Sequence, residues 1–485
     1  KNVLLIGAGD TGQIILRQIL QNSKSNLIVT GIVDDDKDKI GQRLHGVPIY
    51  GPISNLDKLE IEYEEMYICI PSANKKQMNL IVDACKKINK PFKTLPSISE
   101  LIEGNISLTQ LRDVSLIDLL GREEIILDKA SINEFIKGKR VLITGAGGSI
   151  GSELARQCVK FEPSILLMVD ISELNLFQID REISNETSNI LFKPILSDIR
   201  DSSIINQVFN EYKPQVVFHA AAYKHVPMQE YFPWEAAKTN IFGTLNIAEA
   251  SINHGAEKFV LVSTDKAVKP ANVMGATKRL AELITQKFNK SNNNTDFMAV
   301  RFGNVLGSSG SVIPIFKDQI KKGGPVTITD PDMERYFMSI PEASQLILQA
   351  GANGKGGEVY ILDMGEPIKI IDIAYELIRL SGFEPENDIS IEFTGTRPGE
   401  KKIEELSLPT EKLDKTKHKK IFVLNDIEIT DKVLSRIFND VKNLESLLIG
   451  KSPNEVRSLL SLILPEYKPK SSLKDPVYRK VEAEA

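Results

Sequence analysis

Arg140-Val141-Leu142-Ile143-Thr144-Gly145-Ala146-Gly147-Gly148-Ser149-Ile150-Gly151 reads as a strand that runs directly into a glycine-rich turn, and an amphipathic helix follows from about Ser152 to Lys160. Gly145, Gly148 and Gly151 recur at intervals of three residues. Glycines between a strand and a helix let the backbone close on a pyrophosphate, and the helix start offers free N–H groups and the positive end of its dipole. Ser149 and Ile150 supply N–H groups of that first turn. The next strand, Ile165 to Asp170, ends 19 residues beyond Gly151. A carboxylate there accepts hydrogen bonds from a ribose 2′-hydroxyl and repels a 2′-phosphate, so Asp170 favours NAD over NADP. The plainer alternative is an Asp that caps the following turn. Asp198-Ile199 follows another strand, a position for adenine contacts, and Ala220 and Ala222 follow the strand Val216–His219.

Working outward, strands recur at Phe259–Ser263 and Phe297–Arg301, each separated by a helix-sized interval. This is a doubly wound α/β fold of about six parallel strands. From about Gly303 the chain is richer in Gly and Pro. That suggests a smaller lobe, with helices near Ile371–Leu380 and Glu455–Leu464. Upstream the same pattern occurs once before. Val3-Leu4-Leu5-Ile6 enters Gly7-Ala8-Gly9-Asp10-Thr11-Gly12, and the next strand, Ile28 to Val33, ends in Asp34. Few polar groups follow the later strands of that first unit, so it shows no reacting centre. It is either a ligand-binding, regulatory domain or one kept for packing and assembly. The expected organisation is two Rossmann-like sheets in tandem: an accessory domain over 1–107, a charged linker over 108–138, a catalytic domain with a C-terminal substrate lobe over 139–470, and a polar tail over 471–485.

Composition sets bounds. A chain of 485 residues, 42% hydrophobic and 26% charged, is an ordinary globular protein of two or three domains. A net charge of -5 argues against a nucleic-acid partner. The basic run Lys415–Lys420 reads as a solvated loop. Cys69, Cys85 and Cys158 fit neither a zinc site nor a disulfide framework, and no metal is expected. No stretch reaches the ~18 apolar residues that cross a membrane. The chain enters a strand at Lys1 without a methionine, so the natural protein is expected to begin further upstream.

The chemistry centres on Ser263-Thr264-Asp265-Lys266, at the carboxyl end of a strongly apolar strand, where such sheets meet their ligands. Met274 and Lys278 lie four residues apart, on one face of a helix. A thioether is neither acid nor base.

Several stretches resemble the extended short-chain dehydrogenase/reductase family, and in particular bacterial UDP-N-acetylglucosamine 4,6-dehydratases. They are His219–Pro227 (HAAAYKHVP), Ser263–Val268 (STDKAV), Arg301–Pro314 (RFGNVLGSSGSVIP), Arg335–Met338 (RYFM) and Arg397–Lys401 (RPGEK). The likeness covers about Lys139 to Leu408. It implies NAD-dependent removal of water from a UDP-sugar with the cofactor recycled, Asp265 as acid and Lys266 as the carbon-5 base. A lysine base must be neutral when it acts, and an aspartic acid must carry its proton. Burial favours both states, while the attraction between the opposite charges opposes both. The family's Tyr-x-x-x-Lys has Met274 in the Tyr position, as in the subgroup that feeds bacillosamine-type sugars into protein glycosylation. Lys278 stays as the ribose clamp, and Thr264 with an ordered water is expected to relay the carbon-4 hydroxyl proton to Asp265. The substrate's diphosphate and sugar fall to Lys224, His225, Asn304, Ser309 in the Gly307–Gly310 loop, Arg335 and Arg397, with Glu400 orienting a ribose or an Arg.

The resemblance further implies a homo-oligomer built on two helices paired across a two-fold axis. It also implies a cytoplasmic portion anchored to the bacterial inner membrane by helices upstream of Lys1. The alternatives are a carbon-5-inverting dehydratase, a nucleotide-sugar 4-epimerase, and a non-catalytic nucleotide-sugar sensor.

Overall fold

The structure, a computed structural model, describes residues 1–22, 26–88, 90–96, 107–114, 118–119, 125–186, 190–291, 294–408, 411–425 and 430–469. The chain divides into two compact units, residues 1–126 with 376–384, and residues 127–375 with 385–485.

The first unit is built on a seven-stranded sheet. Its centre is the strand Asn2–Ile6, flanked in parallel by Ile28–Val33 and Glu65–Ile68. Val47–Tyr50 and Phe92–Thr94 extend the parallel set, and short antiparallel strands close each edge. Val3, Leu4, Leu5 and Ile6 are wholly buried because a central parallel strand is covered on both faces. The stretch 108–138, expected as a connector, is structured on either side. Arg112–Asp113 pairs with Phe92–Thr94 in the first sheet. Lys129–Ile136 forms a helix, capped by Asp128, in the second unit.

The second unit carries a nine-stranded sheet. Its order is Leu191–Leu196, Ile165–Asp170, Arg140–Thr144, Val216–His219, Lys258–Val262, Asp296–Arg301, Val359–Leu362, Ile421–Asn425 and Lys412–Lys415. The first seven run parallel; the last two are antiparallel. The sheet therefore exceeds the six strands expected. Its extra edge is a hairpin whose turn is the basic run 415–420, closed by Thr416 N–H donating to Ile421 O at 3.3 Å. The strand order reverses beside Arg140–Thr144, which opens a crevice at the carboxyl ends of the strands.

One long helix, Val273–Ser291, carries Met274 and Lys278. Its outer face is covered by two C-terminal helices, Asp431–Leu447 and Pro453–Ile463; the first was not foreseen. Leu434, Ile437, Val441, Leu444, Val456 and Leu460 share one core cluster with Ala276, Leu280 and Leu283. Glu466 accepts a 2.9 Å hydrogen bond from Arg279, and Tyr467 is fully buried, so the chain is still bound just short of the expected tail. The predicted tail over 471–485 lies outside the described residues.

Beneath the site sits a buried ion cluster. Glu282 accepts from Arg301 Nε at 2.7 Å and Nη2 at 2.8 Å, from Arg279 at 3.1 Å and from Ser263 Oγ at 2.7 Å. Burial opposes its charge, but these donors, Arg301 foremost, hold its carboxyl down to about 2. A depressed carboxylate stabilises the fold above its unfolded value and loses that contribution as pH falls through the folded one. Glu282→Gln takes the charge from beside two buried guanidinium groups, leaving Arg279 with Glu466 at 2.9 Å and Arg301 with Glu411 only at 3.8 Å. It is expected to cost about 3–5 kcal/mol in urea unfolding at neutral pH, with the deficit shrinking towards pH 2.

Candidate active site

The glycine turn is shaped by contacts that leave no room for side chains. Gly145 has φ +66°, and a Cβ on it would lie 2.7 Å from the backbone N of Ala221. A Cβ on Gly151 would lie 2.0 Å from Gly145 O. Gly148 caps the helix Ser149–Val159 in an extended conformation without a side-chain cap, so first-turn N–H groups stay open for an anion. Asp170 ties the turn to its strand: Oδ2 accepts from Gly147 N–H and Oδ1 from Ser172 N–H, each at 2.8 Å. The turn-capping role is thus real. Each oxygen keeps a second lone pair.

The adenine contacts expected of Asp198 and Ile199 are not what the structure offers. Asp198 is locked in an ion pair with Arg200 at 2.6 Å; burial raises its carboxyl, but that side chain and the Arg200 N–H bring it below the usual range. Ile199 is a buried core residue, and Gly243 leaves space for its side chain. Neither lines the cleft.

A cleft of about 590 Å³ opens over this turn. Gly145, Gly148, Ser149, Ile150, Gly151, Ala220 and Ala222 form one wall. Lys224, His225, Thr264, Lys266, Met274, Lys278, Asn304, Ser309, Arg335, Arg397 and Glu400 complete it. Residues 250 positions apart in sequence thus meet in one cavity.

At the centre, strand Lys258–Val262 ends and a tight turn, Asp265–Ala267, begins. Thr264 Oγ1 donates to Asp265 Oδ1 at 2.8 Å, and Lys266 Nζ donates to the same oxygen at 3.0 Å. The hydroxyl thus reaches the carboxylate directly, without the intervening water expected from sequence. Lys266 Nζ also donates to Asn304 Oδ1 at 3.1 Å. Asp265 is 1% exposed, and its Oδ2 is buried without a partner among the described residues. Gly275 lets the catalytic helix close on this turn, since a Cβ there would sit 2.2 Å from Lys266 O. Met274, 4% exposed, lines the same cleft as Thr264 and Lys266. Lys278 Nζ donates to Val262 O at 2.7 Å, and burial pushes it down to about 8 against the opposing pull of Glu282. His219 lies between Thr144 and Thr244, at 2.7 and 2.9 Å; burial and then Lys278 push it down to about 3, so it is neutral.

On the far wall the expected residues divide. Arg335 is 7% exposed, and its terminal nitrogens donate to the carbonyls of Glu334, Lys402 and Lys401 at 2.7–2.8 Å. Expected as a diphosphate cation, it lines the cleft and pins the 397–402 loop through those carbonyls. Glu400 Oε1 lies 3.7 Å from Arg335 and Oε2 accepts the Arg397 N–H at 3.1 Å, so it orients an Arg rather than a ribose. Arg397 is exposed at the cleft, with no ion pair among the described residues. Ser309 N–H donates to Ser149 Oγ at 3.3 Å, and Gly310, at φ +67°, abuts His225. Lys224 and His225 are exposed at the mouth.

Two residues escaped the sequence reading. Asn240 accepts the Tyr223 N–H at 2.8 Å and donates to Thr277 at 3.0 Å, fixing the loop after the Ala-rich strand end. Glu404 is 3% exposed, with Oε1 3.9 Å from Lys266 Nζ. Nothing in Lys401-Lys402-Ile403-Glu404-Glu405 distinguishes it from its half-buried neighbour Glu405.

The first unit has its own cleft, of about 760 Å³, at its glycine turn. Gly12 repeats the Gly151 contact, a Cβ lying 2.0 Å from Gly7 O, and Asp34 accepts from Ala8 N–H at 2.5 Å as Asp170 does from Gly147. Asp10, Asp34, Asp35, Asp57 and Asp83 line it against Lys39 and Lys87. Among the described residues no group of His, Cys, Asp or Glu is arranged to hold a metal, and no helix is long and apolar enough to cross a membrane.

Comparison with known proteins matches this arrangement. The family model described as polysaccharide biosynthesis protein matches residues 141–426, and one described as CoA-binding domain matches residues 1–94. The chain is 47% identical over 410 residues to the capsular polysaccharide biosynthesis protein CapD of Staphylococcus aureus, covering 84% of this chain and 68% of that one. It is 48% identical over 408 residues to the probable polysaccharide biosynthesis protein EpsC of Bacillus subtilis, covering 83% and 68%. Among solved structures, Pen from Bacillus thuringiensis superposes with a TM-score of 0.55 at 36% identity, over 61% of this chain and 89% of that one.

Proposed function

Since the chain belongs to the family of polysaccharide biosynthesis proteins, we propose that it removes water from carbons 5 and 6 of UDP-N-acetylglucosamine, giving the UDP-4-keto-6-deoxy sugar. One observation carries this reading. A hydroxyl and an amine that line the cleft over the glycine turn, those of Thr264 and Lys266, are linked at 2.8 and 3.0 Å to one oxygen of the buried Asp265 carboxylate between them in the chain.

The residues present suit NAD. The turn leaves helix N–H groups for its pyrophosphate, Asp170 retains lone pairs for an unphosphorylated ribose, and Lys278 lines the same cleft as the turn. When bound, NAD supplies the acceptor for a hydride from carbon 4 and returns that hydride to carbon 6. The protein's part is proton traffic. The carbon-4 hydroxyl proton passes through Thr264 Oγ1 to Asp265. The new ketone acidifies carbon 5, whose proton moves to Lys266, which enters the cycle as the neutral amine after its ammonium proton has gone to solvent, as the bond to the 6-hydroxyl breaks. Asp265 gives its proton to that departing oxygen, which leaves as water. Lys266 then returns a proton to carbon 5 from the face it came from, so the configuration is retained. Each group ends as it began, and Met274 has no proton to carry. Arg397, Lys224 and Ser309 supply donors for the UDP moiety, while Arg335 and Glu400 hold the loop that presents Arg397.

The direct test is incubation with UDP-N-acetylglucosamine, without added NAD, followed by proton NMR. A 6-methyl signal is expected, and in deuterated buffer one deuterium at carbon 5 with retained configuration. A carbon-4 epimer without a methyl signal makes the protein an epimerase, inverted carbon 5 makes it the inverting dehydratase, and binding without turnover makes it a sensor. Thr264→Val is expected to lower kcat by about 10²-fold with KM little changed. Full turnover in that variant rules out its hydroxyl as the relay.

A further inference from the structure

A second buried carboxylate lies behind the reacting pair. Glu404 is 3% exposed, Asp265 1%. Lys266 Nζ stands between them, 3.0 Å from Asp265 Oδ1 and 3.9 Å from Glu404 Oε1. Only the first distance is a hydrogen bond. Each carboxylate also has one oxygen, Asp265 Oδ2 and Glu404 Oε2, buried without a partner among the described residues.

The other cations facing Glu404 are committed elsewhere. Arg335 donates to the carbonyls of Lys401 and Lys402. Lys401 Nζ donates to Val268 O at 2.9 Å and lies 3.9 Å from Glu405. Two carboxylates thus compete for one ammonium in a dry place, and one of them has it. An ionised carboxylate with a bare buried oxygen is a costly arrangement, and a site of this kind resolves it by keeping a proton.

We infer that Glu404 is a positioning residue held as the neutral acid beside Lys266, so that Lys266 faces the charge of one carboxylate rather than two. This rests on the reading of Lys266 as the carbon-5 base. Flanked by two anions, the amine would hold its proton too firmly to accept another from carbon 5. With Glu404 neutral, only Asp265 opposes the loss, and Asp265 is itself neutralised when the carbon-4 hydroxyl proton reaches it. Burial first, and then the nearby Asp265 charge, move the Glu404 carboxyl above its ordinary value, while Lys266, Arg335 and Lys401 work against that shift.

Infrared spectroscopy of the whole protein reads the charge state without any substrate. At neutral pH the wild type is expected to show the carbonyl stretch of an un-ionised carboxylic acid that is lost in Glu404→Gln. A spectrum in which Glu404→Gln removes no such band overturns the inference, whatever the enzyme's activity. Lys266→Met provides a second reading should the Gln variant not fold. Asp265, deprived of its ammonium in that variant, is expected to take up a proton and add one new band; a neutral Glu404 adds none, so a second new band, absent from Lys266→Met combined with Glu404→Gln, overturns the inference. Kinetics give the functional side. The acid limb of the kcat profile in Glu404→Gln is expected to coincide with that of the wild type. A limb moved to lower pH shows that a charge had been removed beside Lys266, and overturns the inference. If the wild type produces no dehydrated sugar, the reading of Lys266 fails while the infrared result on Glu404 still stands.

Discussion

Lys266→Met makes no 6-deoxy product: dehydration falls by about 10³-fold or more, the upper range for losing a positioned base. Met keeps the length and the apolar stem of the side chain, so the loss isolates the amine. The same variant is expected to keep hydride exchange at carbon 4, because the Thr264–Asp265 contact at 2.8 Å does not pass through Lys266. Isotope exchange from carbon-4-deuterated substrate into the bound cofactor measures this half-reaction, and the NMR assay measures the whole. Loss of both at once would place Lys266 in the first step and contradict the assigned order. Retention of dehydration would remove it from the chemistry altogether.

Gly151→Ala is expected to be the most damaging single methyl in the protein. The added carbon would lie 2.0 Å from Gly145 O and 2.9 Å from Ala146 Cα, both backbone atoms, so nothing can swing aside. Either the helix Ser149–Val159 shifts outward or the turn opens, and both move the N–H groups away from a pyrophosphate. Overpacking of this kind costs about 1–3 kcal/mol, or about 5- to 150-fold if it falls on affinity. Titration of the stripped protein with NAD, alongside circular dichroism to establish folding, is the measurement. Gly12→Ala makes the same contact in the first unit and is expected to leave NAD affinity at the second unit unchanged. An equal loss in both variants would mean that the second turn does not hold the cofactor.

Much of this was legible in the sequence because it is local. Strands buried on both faces must be apolar throughout, so Arg140–Thr144 and its parallel neighbours announce themselves. A turn that must admit backbone at 2–3 Å must be glycine. Thr264, Asp265 and Lys266 are adjacent in the chain, and Met274 and Lys278 are one helical turn apart. What stayed hidden depends on partners distant in sequence. Whether Arg335 meets a diphosphate or a carbonyl is decided by the course of residues 401–402. Glu404 looks like any solvated acid until the fold buries it. The hairpin Lys412–Lys415 and Ile421–Asn425 reads as a charged loop, since its first strand is an edge exposed on most positions. Asp198 is a different case: its partner Arg200 is two residues away, and a strand-end Asp followed so closely by an Arg was a visible warning.

The C-terminal helices set the smallest piece of chain that can work. The family match ends at residue 426, before Asp431–Leu447 begins. A fragment cut at that boundary would contain every residue assigned here to the chemistry. It would also bare the seam of Ala276, Leu280 and Leu283 on the helix that carries Met274 and Lys278. Homology marks out the parts list of the enzyme; the machine that can be expressed alone runs at least to Tyr467, whose buried ring closes that seam.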